Sequence, residues 1–290
     1  MLAAHTTGAA NALNSPLNAH LIPDRSPALK NLEYHPMKII VAIKQVPERD
    51  AHLKIAPGGK WIDESDLSYT FNEPDAYALE EALQLKDKNG GEVIALSAGP
   101  DRVGSTLREA LAKGADRAVH ILADDLTQRD TLTLAHLLAD AIRAESPDLI
   151  LTGLQSDDLG LGQTGVVLAE LLGIPHATII MRVETTPTGL RVKRELEDGW
   201  FQHVDMPLPA LLTMQSGGNK LRYATLMGIK KARSKPTATI PAAASPTPPA
   251  IELIGVHLPE KQKRTQMLTG SPVEIAAQLV EKLQSEVRVL

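Results

Sequence analysis

The residues with the strongest chemical suggestion form one glycine-rich run, Gly153-Leu154-Gln155-Ser156-Asp157-Asp158-Leu159-Gly160-Leu161-Gly162-Gln163-Thr164. Glycines let backbone N–H groups come close to a phosphate, and Gln163 and Thr164 add side-chain donors where a helix is expected to begin. Gly160, Gly162 and Gly165 also spell GxGxxG, with Glu184 placed like the ribose-binding acid of a nicotinamide dehydrogenase. In those enzymes the fingerprint follows its strand at once, whereas Gly160 comes eight residues after Thr152. The pair Asp157 and Asp158 would repel a phosphate if both pointed inward. One can accept a ribose hydroxyl instead, or both can be solvated loop carboxylates. Glycine motifs of this kind also make plain turns, so the neighbouring loops decide.

Catalytic machinery is not visible. The nine histidines show no HExxH or other metal spacing, and no GxSxG elbow or Walker A sequence occurs. No nucleophile and base can be paired, so the chain reads as a binding or electron-carrying protein without a catalytic residue or metal. With no Cys in 290 residues, disulfides, thiolate zinc sites and Cys-held iron–sulfur clusters are excluded, and redox chemistry must come from a bound cofactor.

The elements that position these residues alternate. Residues 38–46 hold the run Ile39-Ile40-Val41-Ala42-Ile43, continuous as in a parallel strand covered on both faces, with Pro47 ending it. A hairpin through Trp61 and Ile62 is expected next, then a helix over 72–86 with Asn72 as N-cap and Gly90-Gly91 as its stop. Strand 93–97, helix 104–113, strand 118–122, helix 131–144 and strand 149–152 repeat the unit. This is the pattern of a parallel α/β sheet with right-handed crossovers. After the glycine loop and its helix, 177–183 gives a further strand. Segments 190–196, 202–204 and 210–214 read as short strands, antiparallel or at the sheet edge. A helix near 224–232 closes the core.

Three units are therefore expected: a disordered or non-native leader over 1–36, with Met37 as a possible natural start; a nucleotide-binding core over 37–234; and a linker and C-terminal arm over 235–290. The linker at 235–250 shows no usable periodicity, and Ser271-Pro272-Val273-Glu274 starts a last helix. In an open parallel sheet, ligands sit beyond the carboxyl ends of the strands. That rule selects Ala42 to Val46 with its exit, the stretch Asn72-Glu73-Pro74-Asp75, Ala98-Gly99-Pro100 and the glycine run. A second candidate region follows the core: exposed Leu226 beside basic Lys230, Lys231, Arg233 and Lys235 suits docking to an acidic partner, or is a solvated helix start.

Thirty Lys and Arg against 35 Asp and Glu give a net charge of −5, and only eight residues are aromatic, which excludes a general nucleic-acid binder. No apolar run is long enough for a bilayer span, and the leader lacks signal-peptide or transit features, so a cytoplasmic location is expected.

The stretch Val192-Lys193-Arg194-Glu195-Leu196-Glu197-Asp198-Gly199-Trp200-Phe201-Gln202-His203-Val204, followed by Pro209-Ala210-Leu211-Leu212-Thr213, resembles the signature of the electron transfer flavoprotein beta subunit family, nitrogen-fixation homologues included. Val41-Ala42-Ile43-Lys44, Asn72-Glu73-Pro74-Asp75, Ser97-Ala98-Gly99-Pro100, Gly114-Ala115-Asp116-Arg117, Gln163-Thr164-Gly165 and Arg222-Tyr223-Ala224-Thr225-Leu226 also stand where that family has them. The similarity covers residues 37–290. It implies a Rossmann-like parallel-sheet core with added antiparallel edge strands, paired with a larger alpha subunit that holds most of one FAD. It further implies a structural AMP at Ala42, Asn72, Glu73, Pro74, Asp75, Ala98 and Gly153 through Thr164.

Partner docking, on the same resemblance, falls to residues 214–235, with Arg222, Tyr223 and the anchor Leu226 meeting a flavin dehydrogenase, while a quinone oxidoreductase takes the electrons onward. The C-terminal arm would wrap the alpha subunit. Where some members carry an aromatic near the flavin, this sequence has Pro47-Glu48-Arg49, and Leu221 replaces the Pro that usually precedes Arg-Tyr. Electron-bifurcating members hold a second FAD in place of AMP, with NAD nearby, and typically end the loop in Val-Gly-Pro; Gln163-Thr164-Gly165 favours AMP. A bifurcating NAD-dependent subunit and a stand-alone ATP-binding stress or signalling protein remain the alternatives.

Overall fold

The computed structural model describes residues 36–259 and 265–288, so the expected leader lies outside the described residues except for Pro36. The first strand, β1 (Met37–Ala42), shows why its run Ile39 to Ala42 is unbroken by polar residues. Ile39 and Val41 pack with Leu79 and Leu83 of α1 (Glu73–Asn89) and Leu107 and Leu111 of α2 (Gly104–Lys113). Ile40 faces the other way, into a cluster with Leu138 and Ile142 of α3 (Thr131–Glu145) and Leu168 of α4 (Thr164–Leu172). Helices thus cover both faces, and each strand residue has an apolar partner whichever way it points. The expected strand over 38–46 is split: β1 stops at Ala42, and Gln45–Pro47 (β2) turns away to pair antiparallel with Tyr69–Phe71 (β3). The hairpin expected at Trp61 and Ile62 is a single antiparallel bridge between Ile55 and Ile62.

The main sheet continues with β4 (Gly91–Gly99), β5 (Arg117–Leu122), β6 (Leu149–Gly153), β7 (His176–Thr186), β8 (Gly189–Glu195), β9 (Phe201–Met206), β10 (Ala210–Met214) and β11 (Thr237–Pro241). Its strand order is β11-β5-β4-β1-β6-β10-β7-β8-β9. From β1 the chain builds outward through β4 and β5, then crosses back to lay β6 on β1's other side. The order therefore reverses at β1, which places a topological switch point beside the carboxyl ends of β1, β4 and β6.

Two segments sit elsewhere than the sequence suggests. Ala210–Met214 is neither antiparallel nor at an edge; it lies parallel between β6 and β7, with all five residues buried. Its run Ala-Leu-Leu-Thr-Met lacks polar alternation, the same mark of two-sided burial that identified β1. Within the expected linker, Thr237–Pro241 pairs parallel with β5 and forms the far edge of the sheet. Its residues are mostly exposed, so backbone pairing holds it and hydropathy gives no sign of it. The antiparallel strands β7, β8 and β9 form the opposite edge, as expected for the segments at 190–196 and 202–204. Past the core, α5 (Leu226–Ala232) packs on α2, and α6 (Pro272–Lys282) begins with a complete capping box between Ser271 and Glu274. No side chain of α6 is buried.

Candidate functional site

At the switch point a crevice of about 1190 Å³ opens between the ends of β1, β4 and β6. One wall is the 153–164 loop, tied down by three polar side chains. Asp75, in the first turn of α1, is buried, and its two oxygens accept the backbone N–H groups of Lys44 at 2.7 Å and Gly153 at 2.8 Å. Burial pushes its pKa up to about 6, against the pull of those hydrogen bonds and of the nearby Lys44 ammonium. Gly153 has no alternative at this point, because a Cβ there would lie 2.5 Å from Asp75 Oδ1 and 2.7 Å from Pro74 Cβ.

Asn72 stands at the N-cap of α1 as expected but makes no side-chain cap bond. Its carboxamide reaches across to the loop instead, donating to the Gln155 carbonyl at 3.0 Å and accepting the Asp157 N–H at 2.9 Å. Carrying both a donor and an acceptor, an amide can satisfy two opposed backbone groups in a way a carboxylate cannot. Asp157 returns the contact, its carboxylate accepting the Glu73 N–H at 3.2 Å. Asp158 takes the Lys44 ammonium at 2.6 Å, and Lys44 also meets Ser156 Oγ at 3.3 Å. Burial would raise the pKa of Asp158, but the Lys44 charge and its hydrogen bonds outweigh this and hold it below the usual carboxylate range. The two adjacent carboxylates are thus divided between a backbone N–H and an ammonium.

Beyond Asp158 the loop is open. Gly160 and Gly162 adopt φ of 62° and 63°, the left-handed region that glycine enters without strain. Leu159 and Leu161 are exposed there although they line the crevice. Helix α4 then starts at Thr164 with Gln163 as N-cap and no side-chain cap bond, leaving its first N–H groups to face the crevice mouth. Gly165 is not part of a phosphate loop. It is buried in that helix, where a Cβ would come 2.5 Å from Thr213 Cγ2, so close packing on β10 explains it and the GxGxxG spacing is incidental.

The structure brings Ala42, Asn72, Glu73, Asp75 and Ala98 to the same crevice as residues 153–159 and 161–164, with Pro74 against the Gly153 wall. Gln45, in the selected loop after the first strand, lines it too, and the structure adds residues that sequence reasoning did not select: Arg102, and the stretch after β5 with Asp124, Arg129, Asp130 and Thr131. Gln45 donates to Thr106 Oγ1 at 2.9 Å and accepts from Arg102, whose guanidinium lies 3.8 Å from the Tyr69 ring centroid and pairs with Glu64. The strand-end rule applied to β5 would have found 124–131, since Asp130 there caps α3 through the Thr133 N–H. Asp130 also accepts the N–H groups of Ala250 at 2.6 Å and Ile251 at 3.2 Å, fastening the start of the C-terminal arm beside the crevice. Arg49, in the position flagged near a flavin, pairs with Glu73 at 2.9 Å on the surface.

The second candidate region protrudes from the α1–α2 side. Tyr223 is 91% exposed and Leu226 88%, followed by Met227 and Ile229, also exposed. Thr225 caps α5 by accepting the Gly228 N–H at 3.0 Å, and a Cβ on Gly228 would lie 2.3 Å from the Ala112 carbonyl, so α5 sits directly on α2. Arg222 does not project with its neighbours: its guanidinium is held by Glu80 at 2.8 Å and by Asp87 at 2.9 Å. No described helix is long and apolar enough to cross a membrane.

A crevice at the switch point of a mostly parallel sheet, with helices on both faces and an apolar projection at one side, places the chain in the Rossmann-like α/β class. The family described as electron transfer flavoprotein domain matches residues 60–245. The electron transfer flavoprotein subunit beta of Methylophilus methylotrophus is 38% identical over 257 residues, covering 84% of this chain and 97% of that protein. The subunit beta of Bacillus subtilis is 35% identical over 260 residues, with 88% and 100% covered. The mitochondrial subunit beta of Oryza sativa subsp. japonica is also 35% identical, over 259 residues, with the same coverage. The chain belongs to the electron transfer flavoprotein family, in its beta-subunit branch.

Proposed function

We propose that the chain, joined to an alpha subunit, carries electrons from flavin dehydrogenases such as the acyl-CoA dehydrogenases of fatty acid β-oxidation to a quinone oxidoreductase, in the cytoplasm, with AMP in the crevice. FAD, held mainly by the alpha subunit, supplies the electron chemistry when bound. This chain's residues bind and shape. The crevice fits one adenosine monophosphate by its chemistry: open glycine backbone at Gly162, an uncapped α4 N-terminus suited to a single phosphate, and Ala42 and Ala98 at the strand ends. Asp157 and Asp158 are occupied by the Glu73 N–H and by Lys44, which lessens the repulsion they would offer that phosphate. Asp75, the crevice's buried carboxyl, has both oxygens committed to backbone N–H groups, so it serves as a brace and not as a proton donor or acceptor for a substrate.

The amphipathic α6 and the exposed apolar residues of the arm, Ile251, Ile254, Leu258 and Val273 among them, would pack on the alpha subunit. The core over 37–234 would hold the nucleotide while residues 235–290 hold the partner. Leu226, an exposed large aliphatic residue on a short helix fixed to the core, would anchor the dehydrogenase. The observation that carries the reading is the presence, in one chain of this family, of the latched glycine loop and of that exposed anchor.

Co-expression with the alpha subunit tests it. An absorption spectrum and chromatography of released nucleotides should give a yellow heterodimer with one FAD and one AMP. Two flavins per heterodimer with NADH oxidation would favour the bifurcating alternative. A colourless homo-oligomer releasing ATP would favour a stress or signalling protein.

A further inference from the structure

The root of the docking projection is held by an arrangement its exposed tip does not explain. Residues 218–222 run from the end of β10 toward α5 over α1, and three contacts fix them there. Gly218 lies so close to β7 that a Cβ would be 2.4 Å from the Met181 carbonyl. Asn219 donates to Glu81 at 3.0 Å, while the other Glu81 oxygen accepts the Val183 N–H of β7 at 3.0 Å. Glu80 then takes Arg222 three times: backbone N–H at 3.2 Å, Nε at 2.8 Å and Nη2 at 3.1 Å.

Glu80 is a costly residue to place here. Its side chain is 6% exposed, and a buried carboxylate must recover the lost hydration from its partners. Arg222 and Gln84, which adds a fourth bond at 2.9 Å, do so. Leu221, packed against the apolar core beside them, pegs the chain on its other side. The next residue, Tyr223, is almost wholly exposed. The boundary between fixed and projecting chain therefore falls at Arg222, four residues before Leu226.

We propose that Glu80 and Arg222 are positioning residues for docking: the clamp fixes the direction in which Tyr223 and Leu226 leave the surface, and Arg222 acts through it without contacting the dehydrogenase. This rests on the docking role of Leu226 proposed above. It also gives a sign that separates two roles for Arg222. If Arg222 met an acidic dehydrogenase surface directly, breaking the clamp at Glu80 would free its charge and tighten docking. If Arg222 is spent on positioning, the same change loosens docking although Arg222 is untouched. Glu80→Gln makes the distinction, because the carboxamide sets an NH₂ against the guanidinium.

The test uses the full heterodimer with an acyl-CoA dehydrogenase as donor, reading the KM for the heterodimer, the saturating rate and amide exchange over residues 222–230. Expected for Glu80→Gln are a KM raised about tenfold, a saturating rate within about twofold, and exchange faster by about tenfold, since local order and not electron chemistry is lost. In a Leu226→Ala background the same substitution should change KM by less than about twofold, because coupled residues do not add. An unchanged or lowered KM with wild-type exchange overturns the inference. So does a full, independent effect in the Leu226→Ala background. If Glu80→Gln fails to assemble, Arg222→Lys keeps the charge but loses the two-pronged geometry, and an unchanged KM there is equally fatal. A silent Leu226→Ala, by contrast, removes the docking reading alone; clamping is then judged on amide exchange, where wild-type rates in Glu80→Gln overturn it.

Discussion

The crevice wall and the docking projection are both loops leaving the same sheet, yet they handle polar groups in opposite ways. In the 153–164 wall, polar side chains from other elements, the buried Asp75 and Asn72 and the half-exposed Lys44, reach in and tie down the loop's first half, leaving the glycines of the second half free. In the projection the ties come before the tip, at Asn219 and Arg222, and the part that follows carries bare apolar side chains into solvent. A cavity for a small ligand needs a wall whose position is fixed before binding. A contact for a large partner needs only a fixed root and an apolar tip, since the partner supplies the desolvation.

Breaking the wall should have the larger consequence. Gly153→Ala forces a Cβ into Asp75 and Pro74, an overpacking cost of about 1–3 kcal/mol at the point where β6 becomes the loop. We expect a lower thermal midpoint and AMP falling well below one per heterodimer; a variant that releases wild-type amounts of AMP on denaturation would show that this wall does not hold it. Leu226→Ala breaks the projection and should leave AMP and flavin content alone. Removal of a docking anchor worth about 2 kcal/mol raises the KM for the heterodimer about thirtyfold. Unchanged dehydrogenase kinetics would dismiss it as an anchor.

The smallest effect sharpens the contrast through pH. Asp75 titrates at about 6 in the folded chain against an ordinary 3.8, so folding takes up a proton between those values. Its contribution to stability is full below the lower value and is lost as pH rises through about 6. Asp75→Asn cannot ionise and should lack this slope, while being less stable throughout because its NH₂ faces a backbone N–H. Urea midpoints between pH 4 and 7 read the difference. Parallel pH profiles for the two proteins would deny Asp75 its raised affinity for a proton.

Much of this molecule was legible from periodicity, and the exceptions have physical reasons. The βα alternation, the parallel core and helices α2 and α3 follow from apolar runs and from the stops at Gly114 and at Ser146-Pro147. Ala210–Met214 was misplaced because the strands just before it in sequence, β8 and β9, are antiparallel, although its five unbroken core residues already carried the mark of a central strand. Thr237–Pro241 could not be read, since a strand held by backbone bonds alone leaves no hydropathic trace. At the site, the strand-end rule found the crevice but not the use made of it. Asn72 stands where a cap belongs, and only the fold shows that its amide serves a loop more than eighty residues away. The clamp on Arg222 was equally hidden, since Glu80 and Glu81 on α1 look like an exposed acidic pair until α1 is seen beneath residues 219–222.

The position of β10 has a consequence for how the chain is made. It is the second-last strand of its sheet in sequence order, yet it is slotted between β6 and β7, both made before it. While a ribosome has delivered the chain only as far as Met206, β6 presents a naked flank and the three-stranded antiparallel panel has no neighbour to join. Synthesis of a few more amino acids closes that gap and seals both halves into one slab, so a message truncated just short of it should yield a sticky fragment and not a smaller working protein.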